Sequence, residues 1–188
     1  MSGTRSRWHE VAELHAERIG ERRLAAAGDL ARVFHAGAED LMADLTVYKF
    51  AAKMIGRGRR VLDLSCGSGL GTWVLARECG EAFGVEPEDA LRTVAEESWP
   101  PDGIGFGPAP PEERFGGVVA LRRPQSLATV LPRLDADGVV VLADPDLDAL
   151  RATFVHVFVF SVAGELIWPG QHLAAERALG LVCVSSGG

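Results

Sequence analysis

Seven short apolar runs, each bounded by Gly, Pro or an acid, constrain this chain more than any other feature. They are "RVLDL" (60–64), "AFGV" (82–85), "IGF" (104–106), "GVVAL" (117–121), "GVVVLA" (138–143), "FVHVFVF" (154–160) and "LVCV" (181–184). Near-continuous runs of Val, Leu and Ile suit strands buried on both faces, as in a parallel sheet covered by helices. Helical stretches separate the early runs: "GTWVLAREC" after the first, "PEDALRTVAEES" after the second, "PQSLATVLPRL" after the fourth. That alternation predicts a doubly wound α/β sheet with right-handed crossovers. A length of 188 residues suits one domain with a sizeable core, and 47% hydrophobic with 24% charged residues is ordinary for a soluble globular protein.

The segment before the first strand reads as helix. Trp8, Val11, Leu14, Arg18 and Ile19 recur on one helical face, with breaks expected at Gly28 and around Gly37. "AEDLMADLTVYKFAAKMIG" continues as a further helix with Gly56 as its C-cap. The expected organisation is a single domain over 1–188, with a helical N-terminal cap (1–55) and an α/β core (56–188). "MSGTRSRWHE" lacks the apolar region of a signal peptide, and "FVHVFVF" is too short to span a bilayer as a helix. Cys66, Cys79 and Cys183 show no metal-ligand spacing and suit reduced, buried thiols. The expected location is the cytoplasm, and no metal site is expected.

The stretch "RRVLDLSCGSGLGTWVLARECGEAFGVEPEDA" raises the question of the ligand. A strand, a glycine loop and a helix bring backbone close to a ligand at the helix N-terminus. Nicotinamide-binding folds share that much, but their G-x-G-x-x-G would place Gly at 72, where this chain has Thr72, with Gly71 one place early. Asp63 lies four residues before Gly67, where an ionised group would repel a pyrophosphate and attract a cationic amino acid. Glu86 falls 19 positions after Gly67 (86 − 67), at the end of the second strand, where a carboxylate can accept from both hydroxyls of a ribose. Glu86-Pro87-Glu88 also fits a simple helix start, with Pro early and acids favoured by the helix dipole. A strand-end acid of this kind is expected to be reachable by solvent.

A ribose joined to a positively charged amino acid describes S-adenosylmethionine. "VLDLSCGSG", "GVEPE" and "LPRLDADGVVVLADP" resemble the class I methyltransferases that use this cofactor, over roughly residues 48–145. The resemblance implies a mostly parallel, seven-stranded Rossmann-like sheet with helices on both faces, ending in an antiparallel pair from "FVHVFVF" and "LVCV". It implies a cofactor site built from Asp63, Ser65, Cys66, Gly67, Ser68, Gly69, Glu86, Pro87, Ala109 and Leu121. Within it, Gly67 and Gly69 would line the methionine, Asp63 would support its amino group and Glu86 would hold the ribose. Ser65 stands where many relatives have Gly, and "YKFAA" resembles the segment that closes over the cofactor, which makes Tyr48 a further contact.

The resemblance frays at two positions. Pro108 replaces an acid that meets the adenine, with Glu112 and Glu113 only later, and Gly116 replaces the Asp that commonly follows Phe before the fourth strand. Among five histidines, His9, His15, His35, His156 and His172, none is assigned as a base; His156 inside "FVHVFVF" reads as a satisfied strand residue. Three functions remain: a methyltransferase for a small molecule or sugar-type acceptor, a degenerate fold acting as a non-catalytic partner subunit, and a nicotinamide oxidoreductase. The formal net charge of −7, from 19 Lys+Arg against 26 Asp+Glu, opposes a sequence-independent grip on nucleic acid. "GRGRR" (56–60) is the one dense cationic stretch and reads as a solvated loop. The expected partners are a small-molecule acceptor and, as an option, a second copy of the chain, without nucleic acid or membrane.

Overall fold

The computed structural model describes residues 38–99, 101–123, 125–143, 145–160, 166–167 and 181–185. In chain order these form α1 (Ala38–Ile55), β1 (Arg59–Asp63), α2 (Leu70–Cys79), β2 (Gly80–Val85), α3 (Asp89–Ser98), β3 (Ile104–Gly107) and β4 (Phe115–Ala120). Then come α4 (Leu127–Val130), a 3-10 turn (Leu131–Arg133), β5 (Leu134–Leu142), α5 (Leu147–Thr153), β6 (His156–Phe160), β7 (Leu166–Ile167) and β8 (Leu181–Ser185).

The strands make one sheet in the order β3-β2-β1-β4-β5-β8-β6-β7. Its first five strands are parallel, and β8 runs antiparallel between β5 and β6. All seven expected runs are strands. The described sheet nevertheless has eight, because Leu166–Ile167 pairs antiparallel with β6. Two residues leave no periodicity to read, so this strand had no sequence signal.

Side-chain alternation covers both faces. Val61, Val119 and Val141 pack with buried residues of α1, α2 and α3, while Leu62, Val118 and Val140 pack with Val130 of α4 and Leu150 of α5. The chain winds from β1 out to β3 and returns to β4 on the other side, so strand order reverses between β1 and β4. In open α/β sheets the crevice beyond the carboxyl ends at such a reversal is where ligands bind.

Gly56 closes α1 as expected, its N–H donating to the Ala52 carbonyl at 2.9 Å. Helix α5 has no counterpart among the expected helices, although Asp146 caps it in the ordinary way, accepting from the N–H groups of Asp148 and Ala149 at 3.1 Å each. The expected cap over 1–55 lies outside the described residues except for α1, and so do Trp8, Val11, Leu14, Arg18, Ile19, Gly28 and Gly37. Among the described residues no helix is long and apolar enough to cross a membrane. Cys66 and Cys79 are buried free thiols.

Candidate functional site

The end of β1 is fixed between two parallel neighbours, with Asp63 in register with Gly84 of β2 and Val119 of β4. Beyond it, the Leu64 N–H donates to the Val119 carbonyl (2.9 Å) and the Cys66 N–H to the Val85 carbonyl (3.1 Å). The loop is thus stitched to both sides of the strand-order reversal before it enters α2. Its turn requires glycine: Gly67 has φ 56° and Gly69 φ 83°, the left-handed region that side chains rarely adopt. At Gly69 a Cβ would also lie 2.7 Å from the rings of Phe106 and Trp99. Trp99 in turn donates its indole N–H to the Ser68 carbonyl at 2.8 Å and stacks on Trp73. Gly71 has a separate reason, since the Tyr48 ring of α1 fills the space a side chain there would need.

Asp63 is fully buried. Its carboxylate accepts from the Ser65 N–H at 3.3 Å and the Thr72 hydroxyl at 2.9 Å. Burial pushes its pKa up to about 6, against the pull of the Thr72, Ser65 and Tyr48 donors and with a further push from Glu86. Thr72 therefore does more than depart from the nicotinamide pattern; it holds the acid. The Tyr48 hydroxyl also accepts from Arg122 Nε at 3.3 Å, and the Arg122 N–H donates to Ser65 Oγ at 3.4 Å. Desolvation, with the neighbouring Arg123, lowers the Arg122 guanidinium to about 10. Burial, with Asp63 and Glu86 nearby, raises the Cys66 thiol, which keeps it neutral.

Glu86 follows the last residue of β2. One of its oxygens accepts from the Gly67 N–H at 3.2 Å and the other from the Glu88 N–H at 3.0 Å. Arg123 approaches the second oxygen at 3.9 Å. The expectation of a solvent-reachable acid is corrected here: Glu86 is only 1% exposed. Folding of the glycine loop back onto β2 covers it, a contact between elements that no local pattern encodes.

Every expected cofactor residue lies at the carboxyl end of the parallel strands. Asp63, Ser65, Cys66, Gly67, Ser68 and Gly69 form the buried floor, and Pro87 and Ala109 lie at an exposed margin with the half-buried Leu121. Pro108 is exposed on that margin too. Gly116 is not before the fourth strand but is its second residue, at the opposite end of the sheet. Glu113 cannot substitute for an adenine acid, because both its oxygens accept from Arg60 at that far end. His156 opens β6, level with Ser185 of β8 and away from the carboxyl ends; His9, His15, His35 and His172 lie outside the described residues. Among the described residues no cluster of three metal-ligating side chains occurs. Sequence reading misses Trp99, Phe106 and Arg122, which support the loop through contacts of long sequence separation, and sees in Thr72 only a departure from the nicotinamide pattern.

The fold is that of known methyltransferases. A TehB-like SAM-dependent methyltransferase from Corynebacterium glutamicum superposes with a TM-score of 0.56 at 20% identity, covering 95% of this chain and 98% of that one. A ribosomal-protein methylase from Lactobacillus delbrueckii subsp. bulgaricus gives 0.53 at 16% identity, over 75% and 78% of the two chains. A 16S rRNA methyltransferase from T. thermophilus, in complex with AdoMet and guanosine, gives 0.53 at 18% identity over 77% and 42%. No family model and no curated protein matches the sequence. The chain thus has the Rossmann-like fold of the class I SAM-dependent methyltransferases.

Proposed function

We propose that this chain binds S-adenosylmethionine at the carboxyl end of its sheet and transfers the methyl group to a small molecule or sugar-type acceptor. One observation carries the reading: the Glu86 carboxylate is held against the Gly67 amide, at 3.2 Å, where the strand order reverses. Each carboxylate oxygen takes one backbone donor and has lone pairs left, which a ribose diol would meet once the loop that covers Glu86 moves aside. Asp63 backs the loop with a negative charge suited to an ammonium group. Ser68 Oγ is buried in the loop without a hydrogen-bond partner, which suits a ligand atom beside it. Pro87, Ala109 and Leu121 offer apolar surface for an adenine.

When bound, the cofactor supplies a sulfonium whose methyl group is already electrophilic. The chain's share is therefore placement of the acceptor in line with it. No residue is assigned as a base. A small acceptor is supported by the formal net charge of −7, although nucleic-acid methyltransferases occur among the structural neighbours. We place the protein in the cytoplasm on the reduced state of Cys66 and Cys79.

A second reading, a non-catalytic partner subunit, is favoured by burial: every residue from 61 to 72 is covered. Calorimetric titration with S-adenosylmethionine and with NAD decides. Saturable heat with the first and none with the second is expected. Silence with both would leave the partner subunit, and heat with NAD alone would make the chain an oxidoreductase.

A further inference from the structure

An open concave site of about 430 Å³ lies at the amino ends of β1, β4 and β5, and the methyl-transfer reading leaves it unused. Four arginines line it, Arg57, Arg59, Arg60 and Arg114, together with Asp135 and Asp137. "GRGRR" is therefore more than a solvated loop. The turn after α1 brings Arg57 to the cavity wall, the first two residues of β1 bring Arg59 and Arg60, and Arg114, just before β4, adds the fourth.

The guanidinium groups divide into two kinds. Arg59 and Arg60 are committed. Arg59 donates to the Asp137 carboxylate at 3.0 Å and to its carbonyl at 2.8 Å, and Arg60 meets Glu113 at 2.6 Å and Glu81 at 2.9 Å. Arg114 donates to the Leu134 carbonyl at 2.7 Å, and among the described residues neither it nor Arg57 is in a salt bridge with a carboxylate. Arg57 and Arg114 therefore hold unspent donors on one concave wall. Gly116 adds no side chain to that wall, where an acid would have opposed an anion. Its Cβ position lies 3.1 Å from the Arg59 stem, so glycine there lets that stem lie flat along β4.

We propose that this cavity binds a phosphate-bearing small molecule, gripped by Arg57 and Arg114. Planar guanidinium forks match phosphate oxygens two at a time, and the volume is that of a small-ligand site rather than of a polymer groove. The site stands a strand's length, roughly 15 Å, from the glycine loop, so it is separate from the proposed cofactor site.

The test uses inorganic diphosphate as the probe, titrated calorimetrically into the full-length protein at constant ionic strength set with chloride. Saturable binding of one diphosphate per chain is expected. The double variant Arg57→Ser/Arg114→Ser should bind about tenfold more weakly or worse, while Arg57→Lys/Arg114→Lys retains measurable affinity. Both arginines are exposed, so the melting temperature should stay near that of the unmodified chain and report intact folding. Saturating S-adenosylmethionine should leave the diphosphate affinity of the unmodified chain unchanged. The proposal falls if diphosphate gives no saturable heat, if the Ser double variant binds as tightly as the unmodified chain, or if S-adenosylmethionine competes the diphosphate away.

Discussion

The two ends of the parallel sheet handle charge in opposite ways. At the carboxyl end, Asp63 and Glu86 are 0% and 1% exposed and are held by donors on the loops around them. At the amino end, Arg59 and Asp137 pair with side chains 32% and 78% exposed. An ionised group out of water is costly unless its lone pairs are met, so the first arrangement exists only because backbone amides and Thr72 converge on it. The second needs no such provision, because water already screens it. Burial rather than the number of ion pairs therefore tells which end is structurally committed, and this is the comparison to break.

The largest effect should come from Gly69→Val. Left-handed backbone costs a branched residue about 1–3 kcal/mol, and pressing on Phe106 and Trp99 adds about 1–3 kcal/mol more from overpacking. Urea denaturation should show both together. A variant as stable as the unmodified chain would mean that the loop is free to move away from α3 and β3.

Next is Glu86→Ala. Removing the carboxylate strands the buried Gly67 N–H and deprives Glu88 N–H of its acceptor, for a loss of about 2–4 kcal/mol in folding stability. The same change should weaken S-adenosylmethionine binding in calorimetry. Loss of binding with unchanged stability would return Glu86 to the status of an open, solvent-facing acid.

How much of this was legible varied with the range of the contact. The strands announced themselves because parallel strands buried on both faces are apolar throughout. The glycine loop and its two acids were legible from spacing alone, since the turn demands Gly67 and Gly69 at set places. Glu86 was correctly placed at a strand end, but its partner is an amide 19 residues earlier, and nothing local reveals that it is covered. Trp99, 31 residues from Ser68, and Arg122, 74 residues from Tyr48, were invisible for the same reason. Thr72 was noticed only as a missing glycine. Helix α5 was overlooked despite an evident cap, because seven residues give barely two turns of periodicity.

Asp63 sharpens the comparison through pH. Its folded pKa of about 6 stands above the ordinary 3.8, so the folded state favours the protonated form. That contribution to stability is complete below about pH 4 and is lost as pH rises through 6, on the order of 2–3 kcal/mol. Asp63→Asn should flatten this part of the stability profile, followed by urea midpoints between pH 4 and 7. Binding of a cationic ligand should strengthen over the same interval in the unmodified chain and not in the variant. Parallel profiles for the two proteins would show that Asp63 is ionised throughout.

The smallest effect belongs to Asp137→Ala. Arg59 loses one carboxylate contact at 3.0 Å but keeps its bond to the residue's own backbone carbonyl at 2.8 Å, which the substitution leaves in place. An exposed pair of this kind contributes about 0–1 kcal/mol, and added salt should shrink even that. The change also removes a negative charge from the arginine-lined wall and frees part of the Arg59 fork, so diphosphate should bind somewhat more tightly as folding stability barely moves. Two measurements on one variant thus separate the ends of the sheet. A stability loss as large as that of Glu86→Ala would show that exposure does not govern the worth of these charges, and the contrast between a buried and an exposed end would fail.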